Sequence, residues 1–324
     1  MILHVANGHS ATALLETSGV PGRTMVWADP LSDGPVPGDV SDGELLRIRA
    51  AFLAGTPEDV EEVAADMSGW RAAIDDDRSY DELVLWFEHD LFDQLNLIQL
   101  LTHLGGRSAT TPMTMVTIDS FAGHPNFKGL GELSPEDFPA LFESRRAIRP
   151  EQFALAARAW GAYRSADPRS IEQLLESDLS ALPFLAAALG RHLEEFPSEA
   201  DGLSRSERRL MELALDRPVD IHQAFPRMHE GESTYYISDL SFFDVANALA
   251  TATPPLLIIN LAHPKGSQMP VGTLALTAQG RDVLLGRADR LRLCGIDRWL
   301  GGVHLEGRGP AWRWSQRAGH LLEA

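Results

Sequence analysis

The sequence predicts an α/β fold: a largely parallel, doubly wound sheet of at least four strands, then a helical connector and a winged-helix-like α+β domain. Three observations predict it. Four short apolar runs, near residues 2–6, 24–28, 83–87 and 113–118, alternate with helical patterns, the order of a doubly wound sheet. From 134 to 196 only helical spacing is present. From 204 onward, helices precede a pair of strands and a further helix.

Ile2 to Ala6 reads as a buried strand, followed by Asn7-Gly8 and a helix from about Ser10 to Thr17, with Ser10 placed as its N-cap. Gly19, Pro21 and Gly22 end that helix, and Thr24 to Ala28 forms a second strand ending at Asp29. The Pro- and Gly-rich stretch DPLSDGPVPGD is long for a connection, which predicts a lid or binding loop. Helices follow over 42–54 and 57–74, then an Asp75-Asp76-Asp77 run that reads as a solvated turn.

Leu83 to Phe87 is an unbroken apolar run of strand length, and residues 91, 92, 95, 97, 98, 100, 101 and 104 then repeat at helical spacing. The switch falls on Glu88, His89 and Asp90. Met113 to Ile118 is the fourth strand, ending at Asp119. Helices are predicted at 135–144, 150–164, 168–176 and 181–195, with no strand among them. Ser198 to Ser204 is polar and contains glycine, giving domains 1–133, 134–200 and 201–324. The last contains helices at 204–215, 221–225 and 238–251, strands at 256–261 and 272–276 around a loop with Pro264 and Gly266, a helix at 277–286, and a closing hairpin around Gly307 to Gly309.

Composition narrows the function classes. The chain has 324 residues, 44% of them hydrophobic, but no apolar stretch near the ~20 residues that span a bilayer. Met1 leads directly into a strand without signal-peptide features, so a cytoplasmic protein with no membrane partner is expected. The single Cys294 excludes an intramolecular disulfide and a cysteine-cage zinc site. Residues 1–203 hold 33 acidic against 14 basic residues, a net of −19, whereas residues 204–324 hold 13 against 14. The acidic part would repel a nucleic-acid backbone. Only Lys128 and Lys265 are lysines, a pattern of GC-rich coding.

Polar residues close each strand: Asn7, His9 and Ser10; Asp29; Glu88, His89 and Asp90; Asp119. In a parallel sheet these converge on one rim, where ligands bind. The competing reading is that Asp and Asn merely cap helices and make turns. Asn7-Gly8-His9-Ser10 could offer backbone N–H groups to a phosphate or carboxylate at a helix N-terminus, although it is neither a dinucleotide fingerprint nor a Walker loop. Glu88, Asp90 and Asp29 are the expected catalytic carboxylates, as general base or as ligands of a divalent ion. Strand alternation separates His89 from Glu88 and Asp90. Asp93 reads as a solvated first-turn residue and His4 as a satisfied core histidine.

In the C-terminal part, the helix over 238–251 carries Asp239 and Asp244 and no arginine or lysine, so packing or homo-oligomer formation is favoured over DNA reading. A basic face for DNA would require Arg281, Arg287, Arg290 and Arg292 to lie together.

The segments HVANGHSA, VWADPLSDGPVP, LVLWFEHDLFDQLNLIQLL and DRWLGGVHL together resemble the bacterial domain-of-unknown-function family numbered eighteen thirty-five. The resemblance covers roughly residues 1 to 130; the C-terminal part looks like an extension found in some members. It implies no activity. Where the family pattern favours an acidic residue after Asn-Gly, this chain has His9, which would have to substitute for it.

The expectation is thus an enzyme or ligand-binding protein taking a small anionic molecule, phosphorylated or nucleotide-like, at the rim. The alternatives are a ligand-sensing regulator binding DNA and a scaffold with a vestigial site. The cofactor is unknown, a divalent metal being one option.

Overall fold

The computed structural model describes residues 1–76, 79–107, 111–262 and 271–323. Asp77, Pro264 and Gly266 of the sequence reading lie outside the described residues. The chain divides into two compact units, residues 1–189 with 301–303, and residues 190–300 with 304–324.

The first unit runs β1 (Ile2–Ala6), α1 (His9–Thr17), β2 (Arg23–Val26), α2 (Asp42–Leu53), α3 (Val60–Asp75), β3 (Glu82–Glu88), α4 (Leu91–Gly105), β4 (Met113–Ile118), α5 (Phe138–Ser144), β5 (Arg146–Ala147), α6 (Pro150–Tyr163), α7 (Arg169–Leu175) and α8 (Leu185–Leu193), whose last residues belong to the second unit. Its sheet has the order β2-β1-β3-β4-β5. The first four strands are mutually parallel and β5 is antiparallel to β4. From β1 the chain crosses to β2 in one direction, and from β3 to β4 in the other. Right-handed crossovers therefore place α1 and α4 on opposite faces, and the reversal falls between β1 and β3.

Alternation along β3 fills both faces. Val84 and Trp86 pack with Ala11 and Leu15 of α1, Phe138 and Phe142 of α5, and Phe127, Leu130 and Leu133 of the preceding loop. Leu83, Leu85 and Phe87 are buried on the other side, where α4 packs on β3 and α6. His4 is a core histidine. The Trp86 indole donates to His4 Nδ1 at 3.1 Å, so the ring proton resides on Nε2, which faces the Pro21 carbonyl at 3.2 Å. Burial lowers the pKa of His4 and keeps it neutral. A Cβ at residue 22 would stand 2.5 Å from that imidazole, which accounts for Gly22.

Three expectations for this unit are corrected. The 29–39 stretch is no lid: Leu31 and Val36 are buried, Tyr163 donates its hydroxyl to the Leu31 carbonyl at 2.6 Å, and Arg49 reaches the carbonyls of Pro30 and Asp33. The connector contains a strand after all, β5, too short to leave a periodicity signal. Ser10 is not the N-cap of α1; the helix starts at His9 after Gly8, with no side-chain cap.

The second unit continues with α9 (Arg205–Leu213), β6 (Val219–Asp220), α10 (Ile221–Met228), α11 (Asp239–Thr251), β7 (Leu257–Ala262), β8 (Val271–Leu276), α12 (Ala278–Leu284), α13 (Arg290–Cys294), β9 (Ile296–Leu300), β10 (Val303–Gly307), β11 (Trp312–Ser315) and β12 (His320–Glu323). Strands β6, β8 and β7 form a three-stranded antiparallel sheet in that order, and β9–β10 and β11–β12 form two ribbons. The ribbons therefore turn at 301–302 and 316–319, not at Gly307 to Gly309.

A buried ion cluster ties this unit together. Glu195 takes Arg191 at 2.8 Å, Arg298 at 2.9 Å and the Ser206 hydroxyl at 2.6 Å. Burial acts to raise the Glu195 pKa, but the two guanidiniums prevail and hold it down to about 2. Among the described residues no helix is long and apolar enough to cross a membrane.

Candidate functional site

Parallel pairing brings the ends of β1 and β3 side by side, with Ala6 opposite Trp86. Asn7 therefore emerges next to Glu88, at the point where the sheet reverses direction. Asp90 stops β3 from continuing: its backbone is extended and its carboxylate accepts the Asp93 N–H at 2.9 Å, capping α4.

Asp93 is the residue that the sequence reading misplaced. It is 3% exposed, not solvated. One of its carboxyl oxygens accepts the Glu88 N–H at 2.7 Å and the other accepts the Asn7 amide N–H. It thereby ties the end of β1 to the end of β3. Gln94, also buried, donates to the Glu88 carbonyl at 2.6 Å. The Glu88 side chain lies beside that of Asp93 and also accepts the backbone N–H of Leu130. A Cβ at residue 129 would come within 3.0 Å of that carboxyl, so Gly129 lets the strap lie directly against it.

Three carboxyl groups thus crowd one buried corner, and their pKa values move accordingly. Burial raises Glu88. Burial and then the Glu88 charge push Asp90 up to about 7. Burial, Glu88 and Asp90 together hold Asp93 well above the carboxylate range. The corner consequently retains a proton at neutral pH, the condition for a carboxyl group to donate as well as accept. Next to it the Asn7 Oδ1 is buried with no hydrogen-bond partner among the described residues.

The remaining expected residues separate into groups. Gly8 has nothing within 4 Å of where a Cβ would stand, and His9 and Ser10 are exposed on the first turn of α1, which carries no acidic residue. Asp119 is exposed at the end of β4 and accepts the Ser120 hydroxyl at 2.9 Å. His89 is buried, its ring 6.4 Å from Phe127 and 6.2 Å from Phe184.

Asp29 does not join the corner. It is 1% exposed, its carboxylate is gripped by the Arg49 guanidinium at 2.6 to 3.1 Å, and its backbone N–H and C=O pair with the Asn96 amide at 2.9 and 2.8 Å. The four-arginine basic face that DNA binding would require in the second unit is incomplete. Arg290 is buried against Glu207 at 2.8 Å, and Arg287 lies 3.4 Å from Asp282.

Among the described residues no group of three or more His, Cys, Asp or Glu is arranged to hold a metal ion. The signal that could have found Asp93 was its neighbourhood: Gln94, Asn96 and Gln99 interrupt a helix too apolar to have a solvated side. No family model and no curated protein matches this chain, so the reading of the site rests on its own geometry.

Proposed function

We propose that the first unit binds a small phosphorylated or nucleotide-like molecule at the rim between β1 and β3. The observation that carries this reading is the junction made by Asn7: an uncapped helix N-terminus with open space at Gly8 on one side, and a proton-retaining carboxyl corner on the other. The N–H groups of the first turn of α1 take the anionic group, favoured by the helix dipole. Asn7 Oδ1 takes a donor of the ligand, and Glu88 or Asp90 exchanges a proton with it, Asp90 near neutrality suiting general acid–base work.

The test is calorimetric titration of a nucleotide and sugar-phosphate panel against the intact chain and the variants Asn7→Ala and Glu88→Gln. Loss of binding with an unchanged circular dichroism spectrum supports the proposal; unaltered affinity in both variants ends it.

A second reading concerns the other unit. We infer that α9, β6, α10, α11, β7 and β8 make a winged-helix-like module that packs or self-associates rather than reading DNA. The exposed side of α11 presents Asp239, Asp244 and Leu240, the last 75% exposed, with no cation to meet phosphate. Salt-sensitive shifting of genomic fragments on a gel would overturn it.

A further inference from the structure

The first unit contains a concave surface that the strand-end site does not use. A cavity of about 330 Å³ is lined by Trp27 after β2, Arg71 of α3, His103 of α4, Arg107 beyond it, and Trp160 and Arg164 of the α6 end. With Asp42 the lining carries three guanidiniums against one carboxylate, in a chain of net charge −18. That local reversal of sign is the first observation.

The second is how the cations are held. Arg71 donates to the Asp42 carbonyl at 3.2 Å. Arg107 donates to the Ile74 and Asp75 carbonyls, each at 2.7 Å, and lies 3.3 Å from the Asp75 carboxylate, which His103 also meets at 2.7 Å. Arg164 donates to the Pro37 and Val40 carbonyls, each at 2.9 Å, and lies 3.8 Å from Asp42. Backbone carbonyls thus fix the guanidiniums in place, while Asp75 and Asp42 offset part of the charge on Arg107 and Arg164. Each guanidinium has five N–H donors, so several remain for an incoming anion.

The third observation is the apolar part of the lining. The Trp27 indole is oriented by its 3.1 Å hydrogen bond to Gln99, and Trp160 stacks on Tyr163 with ring centroids 6.2 Å apart. Both tryptophans are buried, 3% and 6% exposed, and form the closed apolar wall behind the cationic group. The volume lies at the small end of the range of small-molecule sites, about 300 to 1,000 Å³.

We propose that this cavity binds the anionic group of a small molecule, a phosphate or a carboxylate. The anion is held by Arg71, Arg107 and Arg164, whose planar forks match either oxyanion. The site shares no lining residue with the strand-end corner, so the two readings stand or fall separately.

The experiment is calorimetric titration of the intact chain with AMP, benzoate, adenosine and ribose 5-phosphate. The expected result is saturable binding of AMP and ribose 5-phosphate, of benzoate, or of all three, with adenosine at least about tenfold weaker. Binding of the two phosphates without benzoate identifies phosphate as the anion; benzoate alone identifies carboxylate. Arg71→Gln, at a half-buried position with one backbone hydrogen bond, weakens the same binding step about tenfold, whereas Asn7→Ala leaves it within about twofold. Arg107→Lys serves as a second variant should Arg71→Gln lower the melting temperature. The proposal is overturned if neither anion binds below about 10 mM. It is also overturned if adenosine matches AMP, or if binding survives both arginine variants. Loss in Asn7→Ala with retention in Arg71→Gln would assign the ligand to the strand ends and overturn it equally.

Discussion

Asn7 and Asp93, 86 positions apart, are joined by a side-chain hydrogen bond across the point where the sheet reverses direction. The same carboxyl group holds the Glu88 N–H. Removing it by Asp93→Ala leaves two donors without acceptors and should destabilise the first unit by about 3 kcal/mol. Asp93→Asn should cost much less, since the Asn7 amide can turn over to accept from the introduced one. Urea unfolding of both variants, followed by far-ultraviolet circular dichroism, checks the difference; equal losses would contradict it.

The carboxyl corner sets a pH dependence. Asp90 has a folded pKa of about 7 against a reference of 3.8. Above about pH 4 the unfolded chain loses this proton while the folded chain keeps it, so the linked contribution to stability falls as pH rises and levels off above about 7. Asp90→Asn preserves the cap on α4 and removes the titration. The variant should gain stability relative to wild type between about pH 4.5 and 8, by about 1 to 3 kcal/mol after allowance for the coupling to Glu88. Urea midpoints at three pH values provide the measurement.

Glu195 has the opposite sign. Its folded pKa of about 2 lies below the reference of 4.5. Its contribution is complete above about pH 4.5 and is lost as pH falls toward about 2. Glu195→Gln should cost about 3 kcal/mol at neutral pH, with the gap between variant and wild type narrowing on acidification. A gap that stays constant from about pH 6 to 3 would show that the carboxylate is not held down by Arg191 and Arg298.

Arg49 and Asp29 form a buried pair whose members are 1% and 2% exposed at the side chain. Arg49→Met strands the Asp29 carboxylate and also frees the loop carbonyls, an expected loss of about 4 kcal/mol. Adding Asp29→Asn should restore part of it, because the uncompensated buried charge is the larger share of the penalty. Thermal melting of the single and double variants decides this.

The regular elements were legible because their periodicity is local. The run from Leu83 to Phe87 and the helical repeat after Leu91 map onto β3 and α4 within one or two residues, and Met113 to Ile118 is β4 as read. What was not legible depends on partners distant in sequence. Asp29 was read as catalytic because nothing nearby announces that Arg49, 20 residues later, grips it. Asp93 was read as solvated because a first-turn aspartate normally is, whereas here it accepts from Asn7 and Glu88 in the buried corner. The two-residue β5 is set by the edge of β4 and not by any preference of Arg146 and Ala147.

The hydrogen bond from Trp86 to His4 has an optical consequence. Trp86 is completely buried, and its indole N–H points at an imidazole that burial keeps neutral. A protonated imidazole quenches indole emission and a neutral one does so far less. Trp86 should therefore emit steadily and at short wavelength across the neutral range, changing only when β1 and β3 part. The central strand pair carries its own fluorescent gauge of whether the sheet is intact.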